Sequence, residues 1–379
     1  NNTLSIKYDF AKERKKPSDL LSLWVADMDF PVAQEIKDAL IERCNHGIFG
    51  YSEVKTPYYE VIAKWYQEKF NWSTKKQWLV KTPGVVAAIA NAIRAFTNIG
   101  DAVLIQKPVY YPFFLTIEDN QRKVVNNSLV YKNGRYEMDF VDFEEKIISH
   151  KVKLFVLCSP HNPVGRVWNK EELLKLGDIC LKHKVIVVAD EIHADFVYQG
   201  HQHQVFANLK TDYQEITVTC TAPSKTFNIA GLQVSNIFIA NENLRKKFKQ
   251  ELKKTANADI NVMGLIACQA AYSQGEDWLR QVKIYIAENL EYVKTFLRDN
   301  LPQVKLVEPE GTYLLWLDFR ELNLTEEELE DLIINKAKLW LDGGTMFGTE
   351  GVGFQRINIA CPQKILIQAF TQLKEALKQ

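Results

Sequence analysis

The chain has 379 residues, which is enough for two domains with substantial hydrophobic cores. Its 47 basic residues cancel its 47 acidic residues, so no global charge favours nucleic acid or an anionic membrane as a partner. No apolar stretch reaches the length of a membrane span, and the first residues lack the pattern of a signal peptide, so we expect neither feature. The six cysteines are scattered without paired spacing, which predicts reduced thiols and a cytoplasmic protein.

Strand-like apolar runs alternate with helical stretches along most of the chain. The runs lie at residues 78–80, 103–105, 154–157, 185–189, 216–220 and 236–240. Residues 169–182 have helical periodicity, and Asn169 and Glu172 are spaced as a capping box at its start. This alternation predicts an α/β fold with a largely parallel sheet, in which ligands bind beyond the carboxyl ends of the strands.

The pattern of predicted helices and strands changes after about Tyr272. Long charged amphipathic helices then surround short strand runs such as 313–317, and Thr325 and Glu328 form a second predicted capping box. We therefore predict a large domain over residues 46–272 and a smaller domain from residues 1–45 and 273–379. No linker rich in proline, glycine or serine marks the boundary.

The first candidate site follows the run at 78–80. Thr82-Pro-Gly84 precedes Val85 and Val86, after which apolar residues continue at the helical period. Free backbone amides at such a helix start form an anion site that suits a phosphate group. By itself, a Pro-Gly turn before a helix more often only connects two elements and binds no ligand.

Polar residues follow the next two strand runs. Asn162 lies in Cys158-Ser-Pro-His-Asn-Pro-Val-Gly165, and the proline after it favours an extended conformation from which its amide can reach a ligand. Asp190 opens Asp190-Glu-Ile-His193 at a predicted buried strand end, where a carboxylate is unfavourable unless a cation faces it. A pyridinium nitrogen is one such cation. A helix cap is the alternative role for this carboxylate.

Lys225 follows the run at 216–220, within Thr221-Ala-Pro-Ser-Lys-Thr-Phe-Asn-Ile-Ala-Gly231. Desolvation at a strand end favours the neutral amine, which can condense with an aldehyde. A phosphate loop of nucleotide hydrolases also ends in Lys-Ser/Thr, but it needs glycines where this chain has Thr219 and Ser224. A surface lysine in a loop is the simpler alternative.

In order and content, these segments resemble the fold-type I pyridoxal-phosphate enzymes. The resemblance narrows to the cystathionine β-lyase branch, the cystalysin-like carbon–sulfur lyases, through Trp24-Val-Ala-Asp-Met-Asp-Phe30, Pro108-Val-Tyr-Tyr-Pro-Phe113, Ser159-Pro-His-Asn-Pro-Val-Gly-Arg-Val-Trp168 and Gly353-Phe-Gln-Arg-Ile-Asn358. It implies an aspartate-aminotransferase-like fold with a mostly parallel seven-stranded sheet and a smaller α/β C-terminal domain. It also implies pyridoxal 5′-phosphate as cofactor and α,β-elimination of cystathionine, cysteine or S-substituted cysteines to pyruvate, ammonia and a thiol.

The resemblance assigns cofactor contacts residue by residue. It implies that Lys225 holds the cofactor as a Schiff base and shuttles the Cα proton, that Asp190 meets the pyridine nitrogen, and that Asn162 meets the 3′-oxygen. Tyr110 resembles the aromatic residue that stacks on the ring. The implied phosphate ligands are the amides of Gly84, Val85 and Val86, the hydroxyls of Ser224 and Thr221, and Tyr51 from a partner subunit. A homodimer with a shared active site follows from that last assignment.

The resemblance also assigns the substrate contacts. Arg356 matches the arginine that grips the substrate α-carboxylate, and a planar guanidinium can hold a carboxylate through two hydrogen bonds. Tyr111, Asn162 and Ala26 would face the same substrate, and Tyr110 and Tyr111 are further candidates for catalytic residues. Without the family context, Arg356 could equally be a surface arginine at a strand edge.

Two positions depart from the aminotransferases of this superfamily. Gln233 stands where an arginine usually clamps the phosphate, which leaves the phosphate with less positive charge. His193 stands three residues after Asp190, where a tyrosine is usual, and it is a candidate contact for the 3′-oxygen of the cofactor.

Three other functions compete with the lyase. An aminotransferase on the same fold would use the same lysine, and a regulatory protein could keep the fold as an interaction surface. A dinucleotide dehydrogenase is disfavoured because Gly351-Val-Gly353 does not open a βαβ unit. No metal site is predicted: His201 and His203 are a close pair, but in a polar loop we expect them to be solvated.

Overall fold

The computed structural model describes residues 2–255 and 259–378. The helices are α1 Gln34–His46, α2 Thr56–Phe70, α3 Val85–Phe96, α4 Pro112–Asp119, α5 Phe140–His150, α6 Lys170–His183, α7 Pro223–Thr226, α8 Glu242–Lys254, α9 Val262–Gln274, α10 Glu276–Asn300, α11 Glu326–Asp331 and α12 Gln363–Ala376. The strands are β1 Leu21–Ser22, β2 Leu79–Thr82, β3 Ala102–Ile105, β4 Lys123–Asn126, β5 Val130–Lys132, β6 Arg135–Glu137, β7 Leu154–Cys158, β8 Ile186–Asp190, β9 Thr217–Thr221, β10 Ser235–Phe238, β11 Lys305–Leu306, β12 Leu314–Asp318, β13 Leu339–Trp340, β14 Asp342–Gly343 and β15 Phe354–Asn358.

A seven-stranded sheet forms the centre of the molecule, in the order β2-β10-β9-β8-β7-β3-β4. Strands β9, β8, β7, β3 and β4 pair in parallel, whereas β10 is antiparallel to both of its neighbours. The predicted α/β fold with a largely parallel sheet is therefore confirmed, together with the number of strands that the resemblance implied. Each predicted run lies on a strand of this sheet, with ends that differ by up to two residues.

The sheet is buried on both faces because its central strands are apolar on both sides. In β7, Leu154 and Val156 join one hydrophobic cluster while Phe155 and Leu157 join the other, as the twofold periodicity of a strand requires. Helices α3, α4 and α8 contribute to the first cluster, and α5 and α6 contribute to the second. The edge strand β4 was not predicted as a strand-like run, and only one of its four residues is buried.

A second, four-stranded sheet has the order β11-β12-β15-β14 and packs with α10 and α12. Both predicted capping boxes are present, Asn169 with Glu172 at the start of α6 and Thr325 with Glu328 at the start of α11. Among the described residues, no helix combines the length and the apolar character needed to cross a membrane.

The predicted boundaries of the two domains lie at helices that pack on each other. Residue 45 is near the end of α1, residue 272 is inside α9, and α1 packs against α9. A hydrophobic cluster runs from Leu23 and Ile36 through α9 and α10 to the C-terminal helix. The division at these residues stays a prediction.

His203 is buried, so the expectation that it is solvated is wrong. Its Nε2 lies 3.1 Å from Glu191 Oε2, and Glu191 Oε1 accepts the Phe206 N–H at 2.9 Å. The loop after β8 folds back onto the end of that strand and covers the Glu191 carboxylate. Its neighbour His201 is exposed, as expected.

Gly177 is a site where α6 packs against the turn before β9 without room for a side chain. It lies on α6, and a Cβ there would overlap the ring of Tyr213, whose hydroxyl donates to Leu174 O at 2.8 Å. Gly177→Ala is expected to lower the free energy of unfolding by about 1–3 kcal/mol, as overpacking does. Urea denaturation measures this loss, and Gly231→Ala, where a Cβ meets no atom within 4 Å, is the control. Equal midpoints for both variants would contradict the packing described here.

Candidate active site

Three candidate residues meet at one edge of the seven-stranded sheet. Asn162 follows β7, Asp190 ends β8 and Lys225 follows β9, and these strands are parallel neighbours. They line a cavity of about 190 Å³. The other lining residues are Ala26, Pro83, Gly84, Val85, Val86, Tyr110, Cys158, Ile192, His193, Ser224, Ala230, Gln233 and Val234.

Lys225 lies on the short helix α7, directly after β9. Its Nζ donates a hydrogen bond to Ala26 O at 2.6 Å, and the Tyr313 hydroxyl donates to the same oxygen at 3.0 Å. Desolvation lowers the pKa of Lys225 to about 8, with a further lowering by Arg356 that Asp27 and Asp190 oppose. The neutral amine is therefore accessible near physiological pH.

Asp190 is a buried carboxylate at the end of β8, with 5% of its surface exposed. Among the described residues, its one side-chain hydrogen bond is from the Ile192 N–H at 3.1 Å. Desolvation raises the pKa of Asp190 to about 7, because the Ile192 N–H and the charge of Lys225 compensate the buried carboxylate only in part. A cationic group in the cavity would restore its ordinary acidity.

The loop that carries Asn162 is anchored by a buried arginine. Gly165 has a φ of +72°, and a Cβ there would press against Pro309, so the turn requires glycine. Arg166 follows it and is 1% exposed, with its Nε donating to Glu310 Oε2 at 2.8 Å. Tyr110 N–H also donates to Asn162 O at 3.0 Å, which fixes the loop against the segment after β3.

Arg356 projects from β15 of the smaller sheet and links it to the cavity. Its Nη1 donates to Asn162 Oδ1 at 3.0 Å and its Nη2 donates to Trp24 O at 2.8 Å. Nη2 also pairs with the Asp342 carboxylate, and the guanidinium lies 4.9 Å from the ring centre of Phe347. Arg356 itself is not among the lining residues, but it is in direct contact with one that is.

The predicted anion site is at the start of α3. Gly84, Val85 and Val86 all line the cavity, and no side chain caps this helix. Its first backbone N–H groups are therefore available to an anion, and the helix dipole favours negative charge there. Ser224 lines the same cavity, on the segment that carries Lys225.

Tyr110 and His193 line the cavity, and Tyr111 lies beside Tyr110. The Tyr111 ring is 5.4 Å from the Tyr110 ring and 6.4 Å from the Phe347 ring. His193 also lines the cavity, and its Nδ1 is buried without a hydrogen-bond partner. Burial, with help from Lys225 and Arg356, lowers the pKa of His193 to about 3, so the imidazole is neutral.

Four candidates do not line the cavity of the single chain. Arg356 and Tyr111 contact residues that do, through Asn162 and Tyr110, whereas Thr221 and Tyr51 lie elsewhere. Thr221 is fully buried within β9, and its hydroxyl donates to Asn236 O at 2.6 Å on the neighbouring strand. Tyr51 is fully exposed on the segment between α1 and α2.

Sequence reasoning did not assign site roles to several lining residues. Cys158 was treated only as a core thiol, yet its sulfur accepts the Asn162 N–H at 3.4 Å at the floor of the cavity. Ile192, Ala230 and Val234 are apolar and carry no chemical signal. Gln233, noted only as a departure from the aminotransferase pattern, also lines the cavity.

These groups match pyridoxal phosphate one by one. Lys225 offers an amine to its aldehyde, and the buried Asp190 carboxylate, which accepts one hydrogen bond among the described residues, offers a partner to its protonated ring nitrogen. The uncapped start of α3 offers amides to its phosphate. The orphaned buried Nδ1 of His193 is a further polar atom that this group could satisfy. The donor set therefore fits the cofactor.

Comparison with known proteins decides the family. Residues 18–372 match the family described as aminotransferase class I and II. The chain belongs to this family.

Carbon–sulfur lyases are among the proteins that the chain resembles over nearly its whole length and theirs. The chain is 43% identical to cystathionine beta-lyase PatB of Bacillus subtilis over 375 residues, which are 99% of this chain and 97% of that protein. The structure of cystalysin from Treponema denticola, which contains pyridoxal 5′-phosphate, superposes with a TM-score of 0.96 at 38% identity, covering 100% of this chain and 96% of cystalysin. The pyridoxal-phosphate-bound C-S lyase from Staphylococcus hominis has a TM-score of 0.93 at 33% identity, with 100% and 96% coverage.

The environment of Lys225 predicts an unusually acidic ammonium group. In protein freed of any bound aldehyde, competitive labelling of amines followed by peptide mass spectrometry measures how the reactivity of Lys225 changes with pH. Half of its ammonium groups should be deprotonated near pH 8. For a free lysine side chain in the same tube, the midpoint should be at pH about 10.4. Arg356→Gln should move the midpoint to higher pH, because it removes a positive charge that disfavours the ammonium form. A Lys225 midpoint equal to that of the free lysine standard would contradict the burial described above.

Proposed function

We propose that this protein is a pyridoxal-phosphate-dependent carbon–sulfur β-lyase of the cystathionine β-lyase type. It converts cystathionine, cysteine or another S-substituted cysteine, together with water, to pyruvate, ammonia and a thiol. The observation that carries the proposal is that Lys225 and the buried Asp190 carboxylate line one cavity, in a chain 43% identical to a cystathionine β-lyase. Cysteine S-conjugates with other leaving groups belong to the proposed substrate class.

Pyridoxal phosphate, when bound, supplies an electron-poor pyridinium ring that accepts the electron pair of the broken Cα–H bond. Asp190 would keep the proton on the ring nitrogen, because a buried carboxylate without a cation is strongly favoured to pair with one. Asn162 and Tyr110 would fix the plane of the ring from the loop after β7 and the segment after β3. The amides of Gly84, Val85 and Val86 would hold the phosphate, with the hydroxyl of Ser224.

Lys225 is the proposed base that removes the substrate Cα proton. A general base works best when its pKa lies near the working pH, and the value of about 8 for Lys225 satisfies this condition. The same amine would hold the cofactor before the substrate arrives. Nζ now donates to Ala26 O at 2.6 Å, and both residues line the cavity.

Arg356 is the proposed holder of the substrate α-carboxylate. Its contact with Asn162 at 3.0 Å places it beside the expected position of the ring, so a carboxylate gripped there would orient the Cα–H bond. Ala26 and Tyr111 would line the remaining substrate space. Removal of the Cα proton is then followed by departure of the thiolate from Cβ, and sulfur is suited to this step because thiolates are good leaving groups.

We propose a homodimer with Tyr51 in the active site of the partner subunit. Tyr51, Ile48 and Phe49 are large hydrophobic residues on one short segment, and all three are exposed in the single chain. A second copy that covers this segment would remove that surface from water. It would also bring the Tyr51 hydroxyl to the phosphate end of a neighbouring cavity.

The cysteines support a reducing compartment such as the cytoplasm. All six are free thiols, and five of them are buried among apolar residues. Buried free cysteine behaves as a small hydrophobic residue.

Purification followed by an absorption spectrum and a pyruvate assay tests the function. The wild-type protein should show visible absorption from the bound cofactor and should release pyruvate from cystathionine, cysteine and an S-aryl cysteine without any keto acid. Lys225→Ala should lose the absorption and the turnover together. Pyruvate formation that needs a keto-acid acceptor would identify an aminotransferase instead, and full elimination by Lys225→Ala would show that another base acts.

Hybrid dimers test the shared site. Tyr51→Ala and Lys225→Ala should each be inactive or weakly active, but their mixture should regain activity, because one of the two sites in a hybrid receives an intact Tyr51 and an intact Lys225. Subunit exchange is checked separately with differently tagged chains. Exchange without recovery of pyruvate release would count against the contribution of Tyr51 to the partner subunit.

A further inference from the structure

Arg356 is already paired with a carboxylate of its own chain. Asp342 on β14 lies directly opposite Arg356 in the antiparallel pairing with β15, and its carboxylate contacts Nη2. Each side chain is only 3% exposed. Sequence reasoning did not single out Asp342, because nothing in its neighbourhood resembles a motif.

The hydrogen bonds of the guanidinium leave little room for a second carboxylate. A planar guanidinium can grip a carboxylate through two N–H pairs, Nε with Nη2 or Nη1 with Nη2, because the other Nη1 hydrogen points back toward Cδ. Both pairs use Nη2, and the two hydrogens of Nη2 are engaged by Trp24 O and Asp342. Nε is buried without a partner. A two-bond grip on a substrate therefore needs one of the Nη2 contacts to yield.

Asp342 is the contact that can yield. Trp24 O belongs to a backbone that is held on both sides: Leu23 N–H donates to Trp340 O at 2.9 Å, and Asn358 Nδ2 donates to Val25 O at 2.6 Å. In contrast, the Asp342 carboxylate accepts a hydrogen bond only from Arg356 among the described residues. It also lines a second cavity of about 620 Å³, together with Arg14 and Lys16 and with Glu326, Glu327 and Glu330. The displaced carboxylate thus has space. Of the two cations that line this cavity, Lys16 is paired with Glu330 at 2.7 Å, whereas Arg14 has no carboxylate partner among the described residues.

We propose that Asp342 is a built-in competitor for Arg356, which occupies the α-carboxylate site until the substrate displaces it. This inference rests on the proposed function of Arg356. Without substrate, Asp342 neutralises a buried cation whose charge would otherwise be uncompensated. With substrate, two carboxylates compete for one guanidinium, so Asp342 weakens the binding of every carboxylate ligand. Asp342 is thus a residue that sets substrate affinity, and it acts through Arg356.

Propionate binding to the holoenzyme tests the proposal, because propionate carries only the carboxylate and undergoes no turnover. Isothermal titration should show about tenfold tighter binding to Asp342→Asn than to wild type, since the substitution removes a like charge beside the site. Propionamide, which is uncharged, should bind the two proteins equally. Asp342→Asn should also gain a larger rise in melting temperature from propionate, because the ligand supplies the missing counter-ion.

Matched variants separate this role from simple orientation of the arginine. Asp318 lies on β12 of the same sheet and pairs with Arg320, and it does not line either cavity. Asp318→Asn should therefore leave propionate affinity unchanged. Arg356→Gln should abolish the gain in the Asp342→Asn background, which places the probe at Arg356. Asp342→Ser provides the same neutral test if the asparagine variant fails to fold. Equal or weaker propionate binding to the neutral variants would overturn the proposal.

Failure of this proposal can be told apart from failure of the proposed function. Wild-type protein that releases no pyruvate overturns the function, whereas the propionate titrations do not depend on turnover. Wild-type protein that releases pyruvate while its neutral Asp342 variants show no gain in propionate affinity keeps the function and removes the competitor role.

Discussion

Desolvation at the carboxyl edge of the large sheet is the constraint on which the chemistry of this molecule depends. The same low-dielectric surroundings act in opposite directions on two neighbouring groups, lowering the pKa of Lys225 to about 8 and raising that of Asp190 to about 7. An amine and an acid that would be fully ionised in water are therefore both close to their midpoints at physiological pH. Their states become sensitive to whatever enters the cavity.

The edge is completed by parts of the chain that are remote in sequence. Trp24 O and Ala26 O, two residues apart, accept hydrogen bonds from Arg356 and Lys225. The segment that presents these carbonyls is held between the two sheets by Asn358 and Asn228, whose side-chain amides donate to its backbone. Small shifts of this segment would move the Lys225 amine and the Arg356 guanidinium together.

The Asp342–Arg356 ion pair affects both the stability of the fold and the proposed binding of carboxylates. The Asp342 carboxylate stabilises a buried cation, which favours the folded protein. In the role proposed for it, the same carboxylate also competes with a substrate carboxylate for Arg356. The two side chains meet because β14 and β15 pair with Asp342 opposite Arg356.

Much of the fold followed from local pattern. The apolar runs from 154 to 220 lie on β7, β8 and β9 because buried parallel strands need continuous apolar sequence, and both capping boxes formed because their hydrogen bonds span three residues. The edge strand β4 was missed because only one of its residues is buried. His203 was misjudged because its partner, Glu191, is brought to it by a loop whose path no local rule specifies.

The sequence by itself determined which residues stand at strand ends and at the start of α3, because these positions depend on short-range periodicity and turn residues. It placed Asn162, Asp190 and Lys225 on one edge, since neighbouring parallel strands end on the same side. Only the tertiary structure decided how those groups are charged and held. Burial depends on the packing of the whole chain, and the pairing of Arg356 with Asp342 depends on the register of two short strands of the smaller sheet.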